Sequence, residues 1–527
     1  MDKISSKRGR FLHLFTLKIL KEENMNKKVV IIGGGLGGMS AGIRLAVDNY
    51  DVTIIEKGER LGGKLNKRGG KGYSFDTGPS ILTMPWVLEQ LFQNANRNLS
   101  DYIKLKRIEP QWKTFFEDGT TIELTSDLPE LIKQLKSVSE DDAGELFNYL
   151  NYCSKMYEYS LKSVYKKSLR GLHDLRSMHT VKELLSMDPM KTMHQGTRKF
   201  FKDKKIQQLF NFLIMYIGSS PYHAPAVLSQ LAHVQLGLGI YYVEGGMYEI
   251  ANAMSKVLHE LQVNVHLNTK VKRIVLNGNK ATGVELENGQ IVEADIVVSN
   301  LEVVPTYQSL LEDHSLHPDF KQEQEKFPPT VSGLVLLLGV NKKYEHLTHH
   351  NFFFSSSPEK EFNQLFNEET LAEDPTIYVG ISSKSDSTQA PDGKENLFVL
   401  THVPPLKEGE TWDTKALEYR KTIITKLEKM GVTDLSNSIE FEYMFTPNDL
   451  QQLYGANGGS IYGVATDRKK NGGFKFPSKS SYVQNLYFVG GSTHPGGGVP
   501  MVTLSGQLTA DLILEHDLKY DQEREIG

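Results

Sequence analysis

Apolar positions along this chain change period several times, and each change marks an element. The run Val29-Val30-Ile31-Ile32 is uninterrupted and β-branched, as in a strand buried on both faces. It runs straight into Gly33, Gly35 and Gly38, after which a helical stretch leads to a second apolar run at residues 52–55, ending in Glu56. Farther on, within residues 241–300, a Gly-Gly pair opens an amphipathic helix. Strands at 263–267 and 271–276 follow, then an Asn-Gly turn, a strand pair around Glu287-Asn288-Gly289 and a buried strand at 296–299. A short apolar strand at 486–489 runs into the glycine-rich stretch 490–500, with a helix expected from about Val502. Residues 101–234 read as mostly helical, and 306–474 mix strands (331–340, 377–382, 397–402) with helices.

The first of these segments has a specific chemistry. Strand, G-x-G-x-x-G turn, helix and strand, with an acid about 20 residues past the glycines, is what a dinucleotide requires. Gly33 makes the turn, Gly35 lets a pyrophosphate approach the backbone, and Gly38 lets the helix sit against the strand. The helix N-terminus offers N–H groups and a positive dipole to phosphate, and Glu56 can accept bonds from a ribose diol. Three such segments, far apart in sequence, imply an α/β fold with a discontinuous Rossmann-type domain of residues 25–100, 235–305 and 478–520. Residues 101–234 and 306–477 are then expected to form a second, α+β substrate domain with a helical part covering the cofactor. Residues 1–24, basic with a short apolar patch and no small-residue cleavage site, read as an arm rather than a signal peptide, and Met25 as a candidate natural start.

Composition narrows the function. A net charge of −4 over 527 residues argues against general nucleic-acid binding. One cysteine, Cys153, leaves no intramolecular disulfide and suits a reducing cytoplasm. It shares a helical face with Leu146, Tyr149 and Leu150, so packing is its default role. No apolar run approaches the ~18 residues of a membrane span; the stretch 210–218 is the nearest. Residues 155–205, by contrast, hold 13 Lys or Arg and 5 acids, interleaved with Leu and Met. This stretch reads either as a basic amphipathic surface for anionic lipid or as a solvated face beside a substrate tunnel.

With these segments in hand, the chain resembles the phytoene-desaturase-like carotenoid oxidoreductases, FAD enzymes sharing a fold with the amine oxidases. Gly62-Gly63-Lys64 resembles the family stretch near the flavin diphosphate, and Phe75-Asp76-Thr77-Gly78-Pro79 the segment near the isoalloxazine. Val271 matches the strand position whose backbone meets adenine. Gly490, Gly491, Gly498 and Val499 fall in the C-terminal signature beside the flavin ring and ribityl chain. Where most such flavoproteins carry Gly-Asp, this chain has Gly491-Ser492, which would leave the ribityl contact to a hydroxyl or a backbone N–H. Within the family, residues 78–85, 217–231, 472–477 and 499–507 are most similar to the 4,4′-diaponeurosporene oxygenase branch, while Thr493-His494 reads like the desaturases.

The resemblance implies bound FAD, a linear C30 carotenoid substrate and oxidation of its terminal methyl to an aldehyde. C30 desaturation is the alternative, and a non-redox prenyl carrier a more distant one. A lipid-soluble substrate together with the basic stretch 155–205 leads to the expectation of peripheral attachment to the inner face of the cell membrane, with other enzymes of carotenoid synthesis as partners. Because the flavin accepts the hydride, the protein needs little catalytic apparatus, and no triad, carboxylate pair or metal-ligand spacing stands out. His494, in the flavin-side segment, is the candidate for proton transfer, set against a purely structural turn with Pro495. Asp76 reads as a turn cap before Gly78-Pro79, and adjacent His349 and His350 as an improbable metal pair, since strand neighbours face opposite ways. The aromatic run 352–354 is expected to line a core or the polyene slot.

Overall fold

The computed structural model describes residues 27–311 and 318–526. The arm expected at residues 1–24 and the start expected at Met25 lie outside the described residues. The β-branched run forms the strand Lys28–Ile32, central in a five-stranded parallel sheet. In spatial order the sheet runs Leu486–Phe488, Ile296–Ser299, Lys28–Ile32, Asp51–Ile55 and Asn264–His266. Its strands thus come from the three segments singled out by periodicity. A three-stranded antiparallel sheet (Val271–Asn277, Lys280–Leu286, Ile291–Glu293) is inserted beside it.

Small residues set how the helices pack on this sheet. In Leu36–Val47, a Cβ added to Gly38 would lie 2.3 Å from the Gly33 carbonyl oxygen, so only glycine lets the helix begin this close to its strand. The C-terminal helix Val499–Ile526 crosses it just as tightly. A Cβ on Gly506 would lie 2.5 Å from the Gly37 carbonyl oxygen, and the Ser40 hydroxyl donates to the Thr503 carbonyl at 2.6 Å. The first turn of Leu36–Val47 therefore packs on the C-terminal helix at Thr503 and Gly506, beyond that helix's own N-terminus. The C-terminal helix starts at Val499 rather than Val502 because Pro500, with its preset φ, suits a first helical turn.

A seven-stranded sheet forms the second layer, ordered Ile439–Phe445, Ser332–Val340, Glu395–Val403, Ile377–Gly380, His350–Phe353, Trp112–Phe115 and Thr121–Leu124. Side chains alternate between its faces. Leu334, Leu336, Leu338 and Val340 pack with Ala416, Ile423 and Leu427 of the helix Asp413–Lys429, whereas Val335 and Leu337 join the central core. Residues 101–234 are mostly helical, as expected, but also hold the short strands Leu105–Arg107, Trp112–Phe115 and Thr121–Leu124. Each has only three or four residues, too few for alternation to stand out from a helical background. The strand Ile439–Phe445 was likewise not legible in the sequence.

Candidate active site

Between the two sheets lies one continuous cavity of about 810 Å³. At the parallel-sheet end its wall is mostly backbone: Gly33, Gly35, Gly63, Gly490 and Gly491 all line it. No side chain caps the helix Leu36–Val47, so its first N–H groups and dipole face the cavity without a protein acceptor from the cap. Glu56 borders the same space. One carboxylate oxygen accepts the Gly34 N–H and the other the Gly58 N–H, each at 2.7 Å, which fixes the carboxylate in place. Each oxygen keeps a lone pair for a diol. Val271, Gly78, Pro79, Gly498 and Val499 line the cavity as well, whereas Gly38 lies beneath it, between helix and strand.

Asn300 escaped the sequence reading although it organises this end. It follows the strand Ile296–Ser299, and its amide lies 2.7 Å from where a Cβ on Gly35 or on Gly37 would sit, and 2.9 Å from one on Gly490. Three glycine segments thus close around one side chain, and any Cβ there would fill the cleft. This Cβ-free floor, an uncapped helix N-terminus and a carboxylate fixed beside the glycine turn fit a dinucleotide.

Three expected residues take other orientations. Lys64 borders the cavity, but its ammonium donates to the Glu302 carboxylate (3.1 Å) and to the carbonyls of Ser460 (2.9 Å) and Ile461 (3.1 Å), which engages all three protons. The hydroxyl of Ser492 accepts the Val303 N–H at 2.9 Å, leaving backbone N–H groups of that loop for a ribityl chain. His494 is 4% exposed and does not line the cavity; its Nε2–H donates to the Val164 carbonyl at 2.8 Å. Burial pushes its imidazole down to about 4. Asp76 accepts the Tyr248 N–H at 3.2 Å and tethers the approach to the helix Glu249–Glu260, rather than the turn before Gly78-Pro79 that the sequence pointed to.

The other end of the cavity is built of side chains. Trp112, Phe212, Leu228, Val234, Phe352 and Leu400 make it apolar. Phe352 faces it while Phe353 packs under the other sheet face. His350 does not join a metal site: its Nδ1 is 2.8 Å from the Tyr378 hydroxyl, which is 2.7 Å from that of Ser80, and His349 pairs with Ser385. Among the described residues no group of three His, Cys, Asp or Glu converges. Cys153 is fully buried in the core, its thiol pushed up by desolvation. Two basic side chains stand out in the apolar wall. His402, 3.3 Å from the Tyr462 hydroxyl, is held down to about 4 by burial. Lys475 is held down to about 7, also by burial, and its ammonium bonds the Val464 carbonyl.

Comparison with known proteins agrees with this architecture. A family model described as flavin containing amine oxidoreductase matches residues 36–514. A 4,4′-diaponeurosporene oxygenase from Staphylococcus aureus (strain MSSA476) is 43% identical over 496 residues, covering 94% of this chain and 99% of the relative. The same-named protein of Staphylococcus haemolyticus is 42% identical, covering 92% and 97%. Among solved structures, an oxidoreductase from Methanosarcina mazei superposes with a TM-score of 0.62 at 17% identity, covering 93% of this chain and 100% of that one. A triple mutant of putrescine oxidase gives 0.64 at 15%, covering 93% and 99%. The chain belongs to the flavin-containing amine oxidoreductase family and is an FAD-dependent oxidoreductase.

Proposed function

We propose that this enzyme oxidises a terminal methyl group of a linear C30 carotenoid, 4,4′-diaponeurosporene or a diapolycopene, to an aldehyde. One observation carries the reading: the dinucleotide cradle opens, without a partition, into an apolar slot walled by Trp112, Phe212 and Phe352. An apolar chain in that slot presents its end to the flavin ring. Bound FAD supplies the acceptor for two electrons. Glu56 would hold its ribose diol, the N-terminus of Leu36–Val47 its pyrophosphate, and the Val271 backbone its adenine. Gly78-Pro79 and the loop Gly490, Gly491, Gly498 and Val499 would face the ring system. His494, bonded away from the cavity, positions that loop. In this reading residues 25–100, 235–305 and 478–520 form the FAD domain and 101–234 with 306–477 the substrate domain.

The relatives at 43% identity are named oxygenases, which favours methyl oxidation over desaturation. The intact glycine cradle disfavours a carrier without redox chemistry. The substrate dissolves in lipid, and the basic stretch has the surface to reach it there. Leu172, Val181, Leu185 and Met190 are each 60–77% exposed, on and beside two short helices with no buried residue. Lys167, Arg170 and Lys182 surround them, and Ser160, Val164 and Tyr165 at the base of this stretch line the cavity. Among the described residues no helix is long and apolar enough to cross a membrane. The docking proposed is peripheral, on the inner face of the cell membrane beside other enzymes of the pathway. The test is pigment analysis of cells making 4,4′-diaponeurosporene and this chain. A product that has gained one oxygen and lost two hydrogens supports the reading. Loss of hydrogen alone makes the enzyme a desaturase, and unchanged pigment overturns both.

A further inference from the structure

Lys475 is 7% exposed, lines the cavity and has no carboxylate partner among the described residues. Its only hydrogen-bond partner there is the Val464 carbonyl, in contrast to Lys64, whose three protons are all engaged. The side chain lies against the glycine-rich loop: its Cε is 3.1 Å from where a Cβ on Gly496 would sit. The adjoining Phe476 brackets the same loop, donating to the Ser492 carbonyl (3.3 Å) and accepting the His494 N–H (3.1 Å). Lys475 therefore sits where the apolar slot meets the glycine-rich loop.

The titratable groups on the packed segments do not compete with it. Asp467 is turned to His223 at 3.8 Å and to the N–H groups of Lys469 and Lys470. Tyr462 and Tyr216, at the cavity wall, are phenols pushed further up by burial and stay protonated. His494 is bonded to Val164, and His402, held down to about 4, cannot retain a proton near neutral pH. A general base works best when its own value lies near the working pH, and burial holds Lys475 at about 7.

We propose that the ε-amino group of Lys475 is a catalytic base, taking the hydroxyl proton when the terminal carbinol of the polyene becomes the aldehyde. The inference rests on the carotenoid reading above and adds a residue to it. In the step, the carbinol C–H bond breaks and its electron pair leaves as hydride to the flavin. The O–H bond breaks, its proton moves to the Nζ lone pair, and the C=O bond forms. The ammonium so formed keeps the Val464 carbonyl as acceptor until it loses the proton to solvent.

The test uses the FAD-loaded full chain and the variants Lys475→Met and Lys475→Arg, with the C30 carbinol as probe. A trace of acetic anhydride, with peptide mass spectrometry across pH, reads the lone pair of Lys475 directly. A midpoint near 7, and protection by bound carbinol, are expected; a midpoint at the ordinary lysine value of about 10.4, or no protection, overturns the proposal. Anaerobic bleaching of the flavin by the carbinol should rise with pH through about 7 in the wild type. Lys475→Met should lose that limb and slow the step by about 10²–10⁴-fold, with the flavin spectrum of the resting enzyme unchanged. Lys475→Arg should do the same, because a guanidinium keeps its proton. A limb that survives in Lys475→Met overturns the assignment of the base and leaves carotenoid oxidation standing. A wild type that bleaches with no C30 carbinol overturns both.

Discussion

The two ends of the cavity solve opposite problems. At the parallel-sheet end the wall is backbone, held open by glycines that pack against Asn300 and by one carboxylate pinned between two N–H groups. At the other end the wall is side chains from at least six separate elements, from Trp112 to Tyr462. A charged, flexible cofactor is held through fixed dipoles, whose positions tolerate almost no change. A hydrocarbon is held through shape alone, which many side-chain combinations satisfy. The contrast predicts that changes at the first end remove the flavin, and changes at the second alter the substrate or the stability while the flavin stays.

The largest effect is expected at the glycines. A Cβ on Gly38 meets the Gly33 carbonyl oxygen at 2.3 Å, and one on Gly78 meets that of Lys64 at 1.9 Å. Backbone cannot turn aside as a side chain can, so Gly38→Ala and Gly78→Ala should each cost more than about 3 kcal/mol. Both proteins should purify without yellow colour, measured as flavin absorbance per chain. A fully loaded Gly38→Ala would break the comparison outright.

At the other end, Phe352 packs on Trp112 (centroids 4.3 Å apart) and on Tyr378 (5.0 Å). Phe352→Ala should cost about 3 kcal/mol, the low end for such a truncation because one side of the ring already faces open space. Flavin content should be unchanged, and the urea midpoint of the loaded protein reads the cost. Loss of flavin here would mean that the two ends are one mechanical unit.

What could be read from the sequence follows the same divide. Gly33, Gly35, Gly38 and Glu56 are legible because their spacing is set by a ligand of fixed length, within one continuous stretch of chain. The aromatic run 352–354 was legible as lining, but the meeting of Phe352 with Tyr378 depends on long-range strand pairing, and that of Lys475 with the Gly496 loop on tertiary packing, which no local pattern encodes. Asn300 is intermediate: it stands right after a strand whose apolar run was plain, but its role depends on Gly35, Gly37 and Gly490 closing around it. His494 shows the converse. Motif position drew attention to it, whereas its ring is bonded to the Val164 carbonyl, off the cavity.

Asp76 tests whether the ends communicate. It ends the strand Tyr73–Asp76 and accepts the N–H of Tyr248, whose hydroxyl in turn donates to the Leu61 carbonyl beside Gly62-Gly63 at 2.9 Å. Burial, only partly offset by the Met247 and Tyr248 N–H groups, pushes its carboxyl up to about 6. A folded value above the unfolded one favours the protonated form. Its stabilisation is therefore full below about pH 4 and is lost as pH rises through about 6, a swing of about 3 kcal/mol. Asp76→Asn keeps an oxygen for the same N–H groups and carries no charge. It should match the wild type in acid and exceed it above pH 6 in urea titrations; equal pH profiles would mean that Asp76 does not titrate in the fold.

The smallest effect is the most informative about Glu56. Its carboxylate joins Gly34 to Gly58, so a substitution changes both the cradle and any bond to the ribose. Glu56→Gln replaces one acceptor by an amide, and should weaken FAD binding by about 1.5 kcal/mol, roughly tenfold. The comparison with an FAD analogue lacking the adenosine 2′-hydroxyl separates the two contributions. If Glu56 accepts from the ribose diol, analogue and variant remove the same bond, and their combined loss should fall short of the sum. If Glu56 acts only by joining Gly34 to Gly58, the losses add. Flavin fluorescence titrations of the four combinations decide which, because each isolates an affinity rather than a rate.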